Sequence, residues 1–79
     1  MIQSFSPITF ATELGQFRTI ADVGTAANYL ITRWPEEHGP EYLRAQKVCL
    51  DVMLGRKKPP KARDAFRKAL NEAGIFVRD

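Results

Sequence analysis

Seven basic residues crowd one short stretch, Arg56, Lys57, Lys58, Lys61, Arg63, Arg67 and Lys68, and the only acid among them is Asp64. Residues 1–55 hold four basic and six acidic residues, whereas residues 56–79 hold eight and three, so a net −2 gives way to a net +5. A cationic run of this kind attracts anionic partners: a nucleic-acid backbone, an acidic protein surface or anionic lipid heads. Lipid fits least, because no large apolar side chain accompanies the charges on that face. The competing reading is an ordinary solvated helix face, with Asp64 paired to Lys61 or Lys68 at helical spacing.

Other reactive side chains are few. His38 is the only histidine and follows Glu36 and Glu37, donor types suited to a metal or a proton shuttle. Zinc needs further ligands at defined spacing and calcium a regular series of acids; neither pattern is present, so no metal is expected. Cys49 stands mid-helix among Val48, Leu50 and Val52, the setting of a small buried hydrophobe rather than an exposed thiolate. Ser4 and Ser6 have no base beside them in sequence. The five glycines are spread singly and form no phosphate-cradling run. Trp34 falls in an apolar helical series and reads as core before it reads as an exposed anchor. No catalytic residue and no cofactor is expected, and the chain reads as a non-enzyme.

Such side chains need a scaffold, and 79 residues supply one domain, residues 1–79, with one core. A chain this short buries only about 60–65% of its unfolded surface, so homodimerisation is a standing alternative. Apolar content of 44%, with five Phe, two Tyr and one Trp, is too high for a disordered segment. One cysteine makes no internal disulfide and points to a reducing compartment. The start, Met1-Ile2-Gln3-Ser4-Phe5, lacks the basic residues and apolar run of a signal peptide, and no stretch approaches the roughly 18 apolar residues of a membrane span. A cytoplasmic setting without membrane contact is the expectation.

Hydrophobic periodicity sets the elements. Ile8–Thr12 and Phe17–Ala21 alternate with period two and predict a hairpin closed by Glu13-Leu14-Gly15-Gln16, with Pro7 suited to the start of an edge strand. Asp22 predicts an N-cap, and Val23, Ala26, Ala27, Leu30, Ile31 and Trp34 recur on one helical face that Pro35 ends. Pro40 suits the first position of a second helix, with Tyr42, Ala45, Cys49, Val52 and Met53 on its apolar face and Gly55 just past its end. A third helix near Pro60 carries Ala62, Ala65, Phe66, Ala69, Leu70 and Ala73 and stops at Gly74. Ile75-Phe76-Val77-Arg78 then has strand propensity and is expected to return to the hairpin. The predicted fold is α+β, a small antiparallel sheet (N-terminal hairpin plus short C-terminal strand) packed with three helices in the order β-β-α-α-α-β. The expected core is Phe10, Ile20, Leu30, Ile31, Trp34, Cys49, Val52, Phe66, Leu70 and Phe76.

A helix-turn-helix is disfavoured: Gly55-Arg56-Lys57-Lys58-Pro59-Pro60 is longer and stiffer than that motif's turn, and Asn71 is the sole groove-reading side chain on the exposed face. Any nucleic-acid contact would then be to backbone. The hairpin followed by Trp34-Pro35, then Gly39, Tyr42, Ala45 and Cys49, then Ala62-Arg63-Asp64-Ala65-Phe66 and Glu72-Ala73-Gly74-Ile75, resembles a small bacterial family, mainly alphaproteobacterial, catalogued as domain of unknown function 982. The resemblance runs from about Phe5 to Val77; Gly24-Thr25 stands where that pattern would place an acid. It implies a compact domain and carries no activity. The functional expectation is a small non-enzymatic binding module whose basic stretch meets an acidic protein or a nucleic-acid backbone. The alternative is a homodimerisation domain that pairs through its alanine-lined third helix or its terminal strand.

Overall fold

The computed structural model describes residues 3–12, 15–35 and 38–78. The Glu13-Leu14 part of the hairpin connection and the Glu36-Glu37 part of the loop after Pro35 lie outside them. Six elements follow in the predicted order: β1 Ser4–Ala11, β2 Phe17–Asp22, α1 Val23–Thr32, α2 Pro40–Met53, α3 Pro59–Glu72 and β3 Val77–Arg78. The sheet is antiparallel in the order β2-β1-β3, an α+β fold.

Register decides which side chains enter the core. Ile8 pairs with Ile20, and Phe10 with Arg18 on one side and Val77 on the other; Ile8, Phe10 and Ile20 are fully buried. Thr9, Thr19 and Arg78 pair on the outward face, where the two threonine hydroxyls share a 2.8 Å hydrogen bond. The period of two also turns Phe76 outward when Val77 faces in, which is why Phe76, expected in the core, is 62% exposed and lies edge-on to Phe17. Pro7 sits in the central strand rather than an edge strand. It is tolerated because the register breaks between Ser4 and Ile8, and β3 pairs only with Thr9 and Phe10.

The helices begin and end on specific bonds. Asp22 caps α1, accepting from the Thr25 backbone N–H at 2.8 Å and from the Thr25 hydroxyl at 3.0 Å. The buried face of α1 is Val23, Ala26, Tyr29 and Leu30, so it is turned away from Ile31, which is 72% exposed instead of buried. Tyr29 causes the rotation. Its ring sits edge-on to Phe10 (5.1 Å), Trp34 (6.1 Å) and Phe66 (6.3 Å), and an aromatic ring in that gap removes more apolar surface from water than isoleucine would.

Helix α3 lays Ala62, Ala65 and Ala69 inward, and it packs against α2 more extensively than against any other element. That close approach is what the alanines permit. It also corrects the idea that they are available to a second chain. Cys49, Val52, Phe66 and Leu70 are fully buried as expected, Trp34 is half-buried, and Met53 turns outward at 47% exposure. Past α2, the Arg56 N–H returns to the Asp51 carbonyl (2.8 Å) and the Gly55 N–H to Val52 (3.0 Å), a closure that holds Gly55 at φ 80°, where a side chain would be strained.

Candidate functional site

The seven basic residues are distributed over different settings. Arg56 and Lys57 converge on one carboxylate, Asp51, at 3.9 Å and 3.7 Å, and Lys47 joins them at 3.7 Å. Asp51 is 7% exposed, whereas all three cationic side chains are substantially exposed. Three positive charges around one negative charge leave the junction of α2 and α3 with a net +2 before Lys58 and Lys61, which make no ion pair among the described residues, are included. At separations near 4 Å beside water, each attraction is modest, so the cations remain open to another anion.

The rest of the basic stretch has other duties. Arg63 donates from Nε to the Ser6 carbonyl (2.8 Å) and from a terminal nitrogen to the Pro7 carbonyl (3.3 Å), satisfying acceptors that the broken register of β1 leaves unpaired. Lys68 pairs with Asp64 at 3.3 Å, one turn apart on α3, as the solvated-face reading expects. Arg67 is partly buried.

Beside the α2 cations lies a feature that the charge pattern concealed. Leu43, Leu50 and Leu54 are 58%, 52% and 56% exposed. They stand at i, i+7 and i+11 with Lys47 at i+4, a single stripe on the solvent side of α2, and Met53 borders it. The signal was legible as a second apolar spacing on α2, hidden because Tyr42, Ala45, Cys49 and Val52 had already supplied a complete inward face.

The start of α2 shows how firmly that helix is held. Gly39 offers no side-chain cap and Pro40 has no N–H. The carboxylate of Glu72, from the last turn of α3, takes the role: it accepts from the backbone N–H groups of Glu41 (3.0 Å) and Tyr42 (3.2 Å). It packs so closely on Gly39 that a Cβ there would overlap it. The positive end of the α2 dipole is thus already met by an anion of the same chain.

Cys49 is fully buried, and burial pushes its thiol up to about 11 from an ordinary value of 9.0, which keeps it protonated at neutral pH. His38 lies flat on Tyr42 (4.0 Å between ring centroids, 15° between planes), and the Tyr42 hydroxyl donates to the Leu30 carbonyl at 2.8 Å. Among the described residues, no three His, Cys, Asp or Glu side chains gather as a metal would need. Nor, among them, is any helix long and apolar enough to cross a membrane.

The family model described as Protein of unknown function (DUF982) matches residues 6–77. The chain belongs to that family. The DUF982 match spans β2, the three helices and most of β1, and the leucine stripe and the cations around Asp51 lie within the matched residues. No curated protein and no solved structure matches the chain.

Proposed function

We propose that this chain is a non-enzymatic protein-interaction module, whose α2 face receives an acidic, amphipathic segment of another protein. One observation carries the reading: the exposed leucine stripe of α2 includes Lys47 in its spacing, and Lys47 meets Arg56 and Lys57 on Asp51, the residue after Leu50. An amphipathic helix fits both parts, with apolar side chains on Leu43, Leu50 and Leu54 and acids against the three cations. A nucleic-acid backbone satisfies only the charges and leaves the leucines in water. A second copy of this chain brings the same cations and sets two Lys47 side chains close together near the middle of the stripe. The buried, protonated Cys49 thiol supports binding over catalysis, and a lone thiol of this kind suits a reducing, cytoplasmic setting.

The test is fluorescence anisotropy with a designed helical peptide carrying Leu on one face and Glu on its flanks, beside a random DNA duplex and heparin. The peptide is expected to bind, and Leu50→Asp or the triple reversal K47E/R56E/K57E to weaken it by about tenfold or more. Asp51→Asn, which removes the competing carboxylate, is expected to tighten it. Tighter binding of the duplex with steep salt dependence overturns the reading in favour of nucleic acid. A concentration-dependent dimer in light scattering that Leu50→Asp abolishes overturns it in favour of self-association.

A further inference from the structure

A groove of about 510 Å³ opens where the hairpin meets the last turn of α1, bordered by Thr12, Gln16, Arg18, Tyr29, Thr32 and Arg33. A hollow of about 320 Å³ continues it across Thr12, Tyr29 and Arg33 to Pro35, Ile75 and Phe76. We propose that this groove binds a small organic anion, its oxyanion head held by Arg18 and Arg33 and its flat apolar body lying along Tyr29 toward Ile75 and Phe76.

Strand alternation places Arg18 on the core-facing side of β2, in the same row as the buried Ile20. A charged side chain at such a position is uncommon, and it is accommodated here only by reaching past the core edge into the groove. Its guanidinium carbon stands 5.4 Å from the Tyr29 ring centroid, and Arg33 closes α1 by donating its backbone N–H to the Tyr29 carbonyl at 3.0 Å. Arg18 is thus held over the Tyr29 ring by its side chain, and Arg33 is placed at the same groove by the end of α1. Tyr29 is 7% exposed and wedged among Phe10, Trp34 and Phe66, so the floor of the groove is set before any ligand arrives.

Neither guanidinium has an acidic partner among the described residues, and no described residue lining either hollow is acidic. Two like charges on one groove repel each other until an anion sits between them, and planar guanidinium forks match carboxylate and phosphate oxygens. Thr32 is committed, its hydroxyl donating to the Asn28 carbonyl at 2.7 Å, which leaves the Thr12 hydroxyl and the Gln16 amide as neutral donors. The volume lies within the range of small-molecule sites, and the continuation toward Pro35, Ile75 and Phe76 is the apolar half such sites carry.

The test titrates the whole chain with benzoate, phenyl phosphate and inorganic phosphate. It is followed by Trp34 fluorescence and by the amide and arginine Nε–H resonances. Saturable shifts centred on Thr12, Arg18 and Arg33 are expected for an aromatic anion, with inorganic phosphate weaker because it lacks the flat body; the tighter of the two aromatic anions identifies the head group. Arg18→Met and Arg33→Met are each expected to weaken binding on the order of tenfold. Both residues are exposed, so the variants keep the fold, which the dispersion of the amide spectrum checks directly. Absence of saturation by either aromatic anion up to the order of 10 mM overturns the proposal. So do shifts shared evenly with Lys57 and Lys61, or methionine variants of unchanged affinity. Leu50→Asp serves as the control for independence: it disables the α2 face and is expected to leave this titration unaltered.

Discussion

Replacing Glu72 tests whether a carboxylate thirty residues away in sequence really starts α2. Glu72→Ala removes the acceptor for the Glu41 and Tyr42 N–H groups, at 3.0 Å and 3.2 Å, and the anion at the positive end of the helix. Loss of an N-cap costs about 1 kcal/mol, and loss of an exposed charge beside the dipole adds a few tenths, for roughly 1.5 kcal/mol together. In a chain of this size that lowers the midpoint of thermal unfolding by about 8 °C. Glu72→Gln keeps a neutral acceptor and is expected to cost about half as much.

The decisive variant is Gly39→Ala, measured in two backgrounds. In the native chain its new methyl group overlaps the Glu72 carboxylate, so the cap is displaced and stability falls by about 1 kcal/mol, the roughly 1.5 kcal/mol of the cap less about 0.5 kcal/mol regained through the unfolded state. With Glu72→Ala already present there is nothing to displace. Gly39 has φ −91° and ψ −177°, which alanine adopts freely, so the same substitution becomes neutral or stabilising by about 0.5 kcal/mol through the unfolded state. Urea denaturation followed by circular dichroism and Trp34 fluorescence gives all four corners of the cycle. Additive costs would refute the trans-capping argument outright.

Further expectations follow from burial. Phe66→Ala, at a fully buried position ringed by Phe10, Tyr29 and Trp34, is expected to cost about 3–5 kcal/mol in urea denaturation, while Ile31→Ala on the same scale stays within about 0.5 kcal/mol. The Cys49 thiol should fail to react with a disulfide reagent at pH 8 until the chain is unfolded, because its native value is pushed up to about 11. The same shift fixes a pH trend. The native state holds this proton where the unfolded chain releases it near 9, so its stability contribution is complete below about pH 9 and lost as pH rises toward 11. Comparing the alkaline slope with that of Cys49→Ala isolates that loss; identical slopes would contradict it.

The elements were legible because their signals are local. Asp22 before an apolar helical series, Pro40 at a helix start and alternation through Ile8 and Phe10 each act over a few residues, and each gave an element of the right type in the right place. The core was less legible where two apolar residues competed for one space. Ile31 continues the helical series as well as Leu30 does, but only the three-dimensional gap among Phe10, Trp34 and Phe66 selects Tyr29 and turns Ile31 out. Phe76 lost its place to Val77 through register, which depends on β1 and is invisible in the tail itself.

The candidate surface was hidden by a different cause. Composition weighs every charge equally, but folding assigns charges to partners that lie far away in sequence. Arg63 belongs to the carbonyls of Ser6 and Pro7, and Glu72 belongs to the start of α2; neither duty can be read from the neighbours of either residue. With Arg63 so engaged and Lys68 paired to Asp64, Arg56, Lys57, Lys58 and Lys61 remain of the cationic stretch at the junction of α2 and α3, and Lys47 joins from an earlier helix because Asp51 draws it together with Arg56 and Lys57. What remains beside the leucine stripe is smaller than the sequence suggested and chemically mixed. That mixture, rather than net charge, is the ground on which we propose an acidic amphipathic protein segment for this face in preference to a polyanion.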